Sequence, residues 1–305
     1  MLLLNIFPSV TAPKANRGRA AIQAALAKYY GAKCDLEADV SQILKVRAAV
    51  IRKHGVTSAD VGKLEISLLN VSTANAIPTA FWLLCHVYAD PGLTKSIRDE
   101  LAAMVNLSEL PDGKRGMSFD ITDFSECPLL VSSYREVIRI TNAQLGTRRV
   151  MKDTTITNGK ATYLLKEGCD VQIPSGISHL SPASWGPDFS SFNPRRFMKP
   201  DPTRLRSEEE KVDEKVQKRA YFPFGGGKHL CPGRNFAFAE ILGTVAVLVL
   251  GFDVESADGG VMVVPEIGRP KFAEAIAKPQ GKSAQMGAKI SRRKGWEDVV
   301  WDFAC

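Results

Sequence analysis

The stretch Phe222-Pro-Phe-Gly-Gly-Gly-Lys-His-Leu-Cys231-Pro-Gly-Arg-Asn-Phe-Ala constrains this chain more than any other. Aromatics and three consecutive glycines lead into a single cysteine, then Pro232, Gly233 and an apolar, helix-like run from Asn235. Glycines allow turns closed to other residues and let a backbone approach a flat ligand. A cysteine just ahead of a helix N-terminus sits where the dipole and free N–H groups favour thiolate over thiol. Two readings of the residues stand side by side: a structural cysteine in a glycine-rich turn, or a thiolate poised as an axial ligand to iron.

A chain of 305 residues can bury a substantial core, as one large domain or two ordinary ones. With 45% hydrophobic and 24% charged residues, the composition is that of a soluble globular protein. The formal charge of +7 suits nucleic acid, a membrane surface or an acidic protein partner. The basic residues are scattered apart from Ser291-Arg-Arg-Lys294, and no nucleic-acid motif accompanies them. They read as a solvated surface, with docking of an acidic electron donor as the functional alternative. The six cysteines (Cys34, Cys85, Cys127, Cys169, Cys231, Cys305) show no C-x-x-C and no regular spacing, which argues against a disulfide framework or a zinc site. That usage fits a reducing compartment or the cytosolic side of a membrane. The apolar start, Met1-Leu-Leu-Leu-Asn-Ile-Phe-Pro8, is too short to span a bilayer and lacks signal-peptide architecture.

Helical spacing predicts helices over Arg19–Tyr30 and Glu37–His54, with Gly31 and Gly55 as C-caps. One long helix is expected over 57–89, capped by Thr57 or Ser58 and ended by Asp90-Pro-Gly. Pro78 in its interior removes a backbone hydrogen bond, and the kink can open a carbonyl to a ligand or water. Asn75 nearby can hydrogen-bond but cannot be a Brønsted acid near neutral pH; it reads equally as an amide satisfied by a neighbour. Further helices are expected over Asp90–Val105, Cys127–Ile140 and Asn235–Leu250, with a loop over Asn106–Ser118. Strands and turns are expected over Thr141–Asp188 and Phe252–Pro279, a solvated loop or short helix over Ser207–Lys218, and a closing strand over Ile290–Phe303. Glu136 and Arg139, three apart on one helix face, are a weak signal alone, since exposed pairs of that spacing are common.

Together these motifs resemble a known family. Phe224-Gly-Gly-Gly-Lys-His-Leu-Cys231-Pro-Gly233 is similar to the haem loop F-x-x-G-x-x-x-C-x-G of the cytochrome P450 monooxygenases. Glu136-x-x-Arg139 and Phe192-Asn-Pro194-Arg-Arg196-Phe197 resemble that family's E-x-x-R and F-x-P-x-R-F. The resemblance implies a mainly α fold with a small β region, forming a single domain over 1–305 that lacks the family's N-terminal helices, with the haem-thiolate loop and its following helix at 222–250. It implies Cys231 as thiolate ligand to the iron of heme b (iron protoporphyrin IX), with Phe224, Gly225 and Gly233 shaping the loop. Arg148 and His229 match the family's haem-propionate contacts. Glu136, Arg139 and Arg196 are expected to close a buried ion network that stabilises the face holding the loop. His179, in Ser178-His-Leu-Ser-Pro182-Ala-Ser-Trp185-Gly-Pro-Asp188, looks like a structural turn of the family, and a loop around Phe272–Ile276 is expected to reach the substrate pocket.

The long helix would cross the distal haem face, placing Thr73, Asn75 and Pro78 at the oxygen-activation groove. Most members carry an acid–alcohol pair there, and this chain has no carboxylate. The Asn-x-x-Pro pattern resembles the sterol 7α-hydroxylase and prostacyclin synthase branch, which holds hydroxylases and an isomerase, and the haem-loop string resembles fungal enzymes of secondary metabolism. The implied activity is insertion of one oxygen atom from O2 into an apolar small molecule, a steroid, terpenoid or other secondary metabolite. Electrons would come from an NADPH-cytochrome P450 reductase, so NADPH acts only indirectly, and no nucleic acid is involved. The family's location is the cytosolic face of the endoplasmic reticulum membrane, although no anchor is seen in this sequence. The alternatives are a haem-thiolate isomerase or dehydratase needing no external electrons, and an inactive truncated fragment.

Overall fold

Proline at a first helical position loses no intrahelical partner, and it opens both α1 (Pro8–Thr11) and α2 (Pro13–Gly31). The computed structural model describes residues 7–200, 203, 207–269, 274–285 and 287–304. α3 (Gln42–Lys53) starts five residues later than its apolar spacing suggests, because Glu37 turns extended after a short 3-10 turn. Gly55 leaves it at φ +80°, as a C-cap glycine should. Thr57 caps α4 (Ser58–Thr73), its hydroxyl accepting the Asp60 N–H at 3.2 Å. These helices belong to one compact unit, Met1–Ala74, and the remainder form a second, Asn75–Cys305.

In the first unit Tyr30, Ala48 and Val61 form a small core. At Gly62 a Cβ would come within 2.4 Å of the Leu26 and Ala27 backbone, so α2 and α4 meet at a distance only glycine permits. The fully buried Asp35 carboxylate takes both forks of Arg52 at 2.7 and 2.8 Å, the pairing a buried charge requires.

The second unit opens with α5 (Ala76–Tyr88), so the expected helix 57–89 is two helices broken at Ala74–Asn75. Pro78 has no N–H to give the Ala74 carbonyl; the chain restarts with Pro78 in the first turn of a new helix, where the missing donor costs nothing. Asp90 caps α6 (Pro91–Met104) through the N–H groups of Gly92 and Leu93. The expected loop after it is a hairpin, β1 (Asn106–Glu109) with β2 (Arg115–Asp120), turning through Gly113 at φ +76°. α7 (Pro128–Thr141) follows, and the Glu100 carboxylate on α6 accepts its Leu129 and Leu130 N–H groups at 2.9 and 3.1 Å. β3 (Leu145–Arg149) returns to pair antiparallel with β6 (Asp170–Pro174), enclosing the hairpin β4 (Thr154–Thr157) and β5 (Thr162–Leu165). Short helices α8 (Ser175–His179) and α9 (Pro182–Trp185) follow. The charged run becomes α10 (Glu208–Ala220), started by a capping box between Ser207 and Glu210.

α11 (Arg234–Gly251) is the central helix of this unit, burying Leu242, Val245, Ala246 and Val249 against Trp82, Leu83 and Val87 of α5. Its last carbonyls are all answered. Tyr88 donates to Leu248 O at 2.8 Å, Arg98 to Val249 O at 2.8 Å, and Arg293 to Leu250 O at 2.6 Å. Two cations at a helix C-terminus also complement its dipole. β7 (Phe252–Ser256), β8 (Glu266–Ile267) and β9 (Pro279–Gln280) complete the small sheets. The single closing strand expected over Ile290–Phe303 is two: β10 (Ala288–Arg292), antiparallel to β7, and β11 (Val299–Ala304), parallel to β2. Gly295 at φ +80° turns the chain between them.

Candidate functional site

The loop ahead of α11 is built from its glycines. Gly225 and Gly227 take φ of +75° and +60°, conformations that side chains rarely adopt. The Gly225 N–H reaches Phe222 O at 3.1 Å, and the Cys231 N–H returns to Phe224 O at 3.0 Å, closing the loop on itself. A Cβ on Gly226 or Gly227 would meet nothing within 4 Å, so the backbone is open to close approach there. Cys231 is half-buried, two residues ahead of Gly233, the N-cap of α11. Arg234 donates to the Cys231 carbonyl at 3.2 Å. Beside the loop lies a cavity of about 1160 Å³, lined by Tyr134, Phe224, Leu230, Arg234 and Phe238 among others.

Glu136, Arg139 and Arg196 come together. Glu136 and Arg139 are fully buried, and the carboxylate takes Arg139 Nε at 2.7 Å and Nη2 at 2.8 Å. Arg196 Nε reaches the same carboxylate at 2.9 Å, as does the Asn193 N–H at 3.1 Å. Arg139 spends its other fork on the carbonyls of His179 and Phe189, both at 2.6 Å, and stacks 4.9 Å over the Trp185 ring. Arg196 extends the network to Asp188 at 2.8 and 3.1 Å, which holds that carboxyl below the usual range. Asp188, Asn193 and Trp185 were not singled out from the sequence as network members. Their signal lay in the Trp185-Gly-Pro-Asp188 and Phe192-Asn-Pro194 turns, whose polar residues face whatever the arginines face.

His179 is fully buried and joins this network to the cysteine loop. Its carbonyl binds Arg139, while its Nε2 accepts the Phe222 N–H at 3.1 Å. Burial, with Arg139 adding to it, depresses its pKa to about 4, so the ring is a neutral acceptor.

The remaining candidates are not drawn in. Thr73 is exposed and bonds its own helix at Leu69 O, 2.6 Å away. Asn75 is exposed and has no side-chain cap bond, and Pro78 is half-buried. The buried alcohol of this segment is Thr79, whose hydroxyl donates to Asn75 O at 2.8 Å. Arg148 is half-buried and donates to the neighbouring Thr147 carbonyl, and His229 is exposed in the 3-10 turn Gly227–His229. Of the loop expected around Phe272–Ile276, residues 272 and 273 lie outside the described residues, while Ile276 is buried and bridges Asn142.

The donor set can be tested against haem. Among the described residues no group of three His, Cys, Asp or Glu could hold a metal ion. A lone sulfur suits a metal that brings its other ligands with it, and the loop is open where a flat macrocycle would approach. The residues fit the group.

A family model described as Cytochrome P450 matches residues 22–280 of the chain. A cytochrome P450 monooxygenase of Gibberella zeae is 36% identical over 99% of this chain and 56% of its own length. The human 7-alpha-hydroxycholest-4-en-3-one 12-alpha-hydroxylase is 29% identical over 68% of this chain and 41% of its own. The chain thus spans about half the length of the curated relatives it matches. The crystal structure of a cytochrome P450 (CYP102L1) superposes with a TM-score of 0.67 at 21% identity, covering 94% of this chain and 60% of that one.

Proposed function

The chain belongs to the cytochrome P450 family and has its fold, and from that premise we propose that it is the haem-holding part of a haem-thiolate monooxygenase. The reaction is insertion of one oxygen atom from O2 into an apolar small molecule, with electrons delivered by an NADPH-cytochrome P450 reductase. The carrying observation is the Cys231 loop, with a half-buried thiol just before the N-cap of α11, on a backbone turned by positive-φ glycines. When bound, heme b supplies the activation of dioxygen. Cys231 is the residue that would ligate it, and Phe224, Gly225 and Gly233 shape the loop that presents the sulfur. Arg148 and His229 are exposed enough to turn toward carboxylates at the macrocycle edge. The Glu136–Arg139–Arg196 network and His179 fix the start of the loop from behind. The name of the human relative, a steroid hydroxylase, supports a steroid as the class of substrate, with a terpenoid or other secondary metabolite resting on the resemblance alone. The runs Ser58–Tyr88 and Arg234–Gly251 are apolar and long enough to cross a membrane by composition, though α11 supplies core residues of its unit. Location at the cytosolic face of the endoplasmic reticulum follows the resemblance alone.

The test is the carbon monoxide difference spectrum of the reduced, haem-loaded chain beside Cys231→Ser. A thiolate-type Soret band lost in the variant supports the reading; absence of haem uptake removes it.

A second reading, an isomerase or dehydratase on the same haem, is favoured by one observation. The segment Ala74–Thr79 carries no carboxylate, and its only amide, Asn75, cannot deliver a proton. Turnover without NADPH and reductase would establish it, and strict dependence on both would eliminate it.

A further inference from the structure

The end of α7 carries a buried amide that takes part in none of the ion pairs described above. Asn142 is 4% exposed, and every polar atom of its side chain has a partner. Its Oδ1 accepts the Gln144 N–H at 3.1 Å and faces the Ser175 hydroxyl, which is shared with the Gln144 carbonyl at 2.8 Å. Its Nδ2 donates to the carbonyl of Pro223 at 3.2 Å. The orientation of the amide follows from its partners: a backbone N–H can only donate, and the Pro223 carbonyl can only accept.

Pro223 is the second residue of the cysteine stretch and has no N–H, so its carbonyl is its one backbone handle. The residue before it is held by His179 through the Phe222 N–H at 3.1 Å. The loop is therefore gripped at its entry from two elements, by an acceptor on α8 and a donor beyond α7. Phe222 and Phe224 on either side of Pro223 are the carbonyls that receive Gly225 and Cys231, so the placing of Pro223 sets the hydrogen-bonded turn that presents the sulfur. Asn142 is also wired outward. Its neighbours Thr141 and Ala143 pair with Ala277 and Ala275, and the Ala277 carbonyl receives Trp82 Nε1 of α5 at 2.7 Å.

We propose that Asn142 is a positioning residue for Cys231, its amide N–H₂ fixing Pro223 and through it the entry of the cysteine loop. The consequence at iron rests on the haem-thiolate reading; the geometry does not. Only the donor half of the amide faces the loop, so the acceptor half can be perturbed separately through Ser175.

The experiment is hydrogen exchange at the Gly225 and Cys231 amides of the full 305-residue chain without haem, comparing parent, Asn142→Ala and Ser175→Ala. Losing one buried hydrogen bond is expected to speed exchange at those two amides about tenfold in Asn142→Ala, with amides in the middle of α7 and loop exchange in Ser175→Ala unchanged. Should Asn142→Ala fail to fold, Asn142→Ser, which keeps a small polar side chain too short to carry the donor to the Pro223 carbonyl, carries the same comparison. Loop exchange within twofold of the parent overturns the proposal, as does an equal rise in α7 and loop, which marks a merely structural role. In haem-loaded chain, Asn142→Ala should lose part of its thiolate-type Soret band while Ser175→Ala keeps all of it; an undiminished band overturns the effect on the sulfur. Failure of the parent to take up haem would sink the monooxygenase reading and leave the exchange comparison intact.

Discussion

Around Glu136 a carboxylate, two guanidinium groups, an indole and five backbone carbonyls answer one another away from water. Around Asn75 the polar side chains of Thr73 and Asn75 are exposed, and the local bonds run no further than four residues along the chain. Both segments are rich in hydrogen-bonding groups, and only one is organised by them. The difference is burial. A charge taken out of water must find every partner it lost, so removing one partner strands the rest; an exposed amide has water as a substitute and leaves its surroundings free. The first arrangement suits a scaffold that must not move, the second a segment whose groups are available to something else.

The comparison breaks most readily at its strongest point. Glu136→Ala leaves the fully buried Arg139 without a counter-charge and Arg196 with Asp188 alone, and should cost about 3–5 kcal/mol in urea unfolding; a loss under about 1 kcal/mol would mean that the cluster organises nothing. Acidification probes the same region. His179 stays neutral in the folded chain down to about pH 4 because it is buried beside Arg139, whereas the unfolded histidine takes up a proton near pH 6.5. Between those values the unfolded state binds more protons, so stability falls as the pH is lowered from about 6.5 to 4, by roughly 3 kcal/mol in all. His86, also depressed to about 4 by burial, adds a slope of the same sign. Urea midpoints at pH 7 and pH 5 check this, and His179→Gln should flatten the slope without abolishing it. Thr79→Val removes a hydroxyl that bonds only within its own turn and should cost about 1 kcal/mol or less. Asn75→Ala and Thr73→Ala should stay within about 0.5 kcal/mol of the parent. A larger loss in either would show that the segment around Asn75 is held by its own polar groups after all.

The same contrast explains what could be read before any fold was known. Glu136, Arg139 and Arg196 were legible only through the resemblance of E-x-x-R and F-x-P-x-R-F to a family's motifs, since the spacing of Glu136 and Arg139 alone is that of many exposed pairs. The glycines before Cys231 announce themselves because positive φ admits little else. The break at Ala74–Asn75 was misread as a kink in one helix, since Pro78 serves a helix interior and a first turn by the same missing donor, and only the tertiary setting chooses. The hairpin Asn106–Asp120 was hidden because β1 is exposed throughout and has no apolar alternation. Asn142 carried no motif at all: a single amide is legible only once Pro223, eighty-one residues away, is beside it.

The C-terminal end of α11 is tied down by Tyr88, Arg98 and Arg293, while Cys231 rides at the other end. An 18-residue helix is about 27 Å long, which makes it a lever pivoting at its far end. A tilt of about 2° at the pivot carries the tip through about 1 Å. Substitutions at Arg98 or Arg293, remote from the sulfur in the fold, would act on it with that mechanical gain, were the shaft not held by the packing of Leu242, Val245 and Val249.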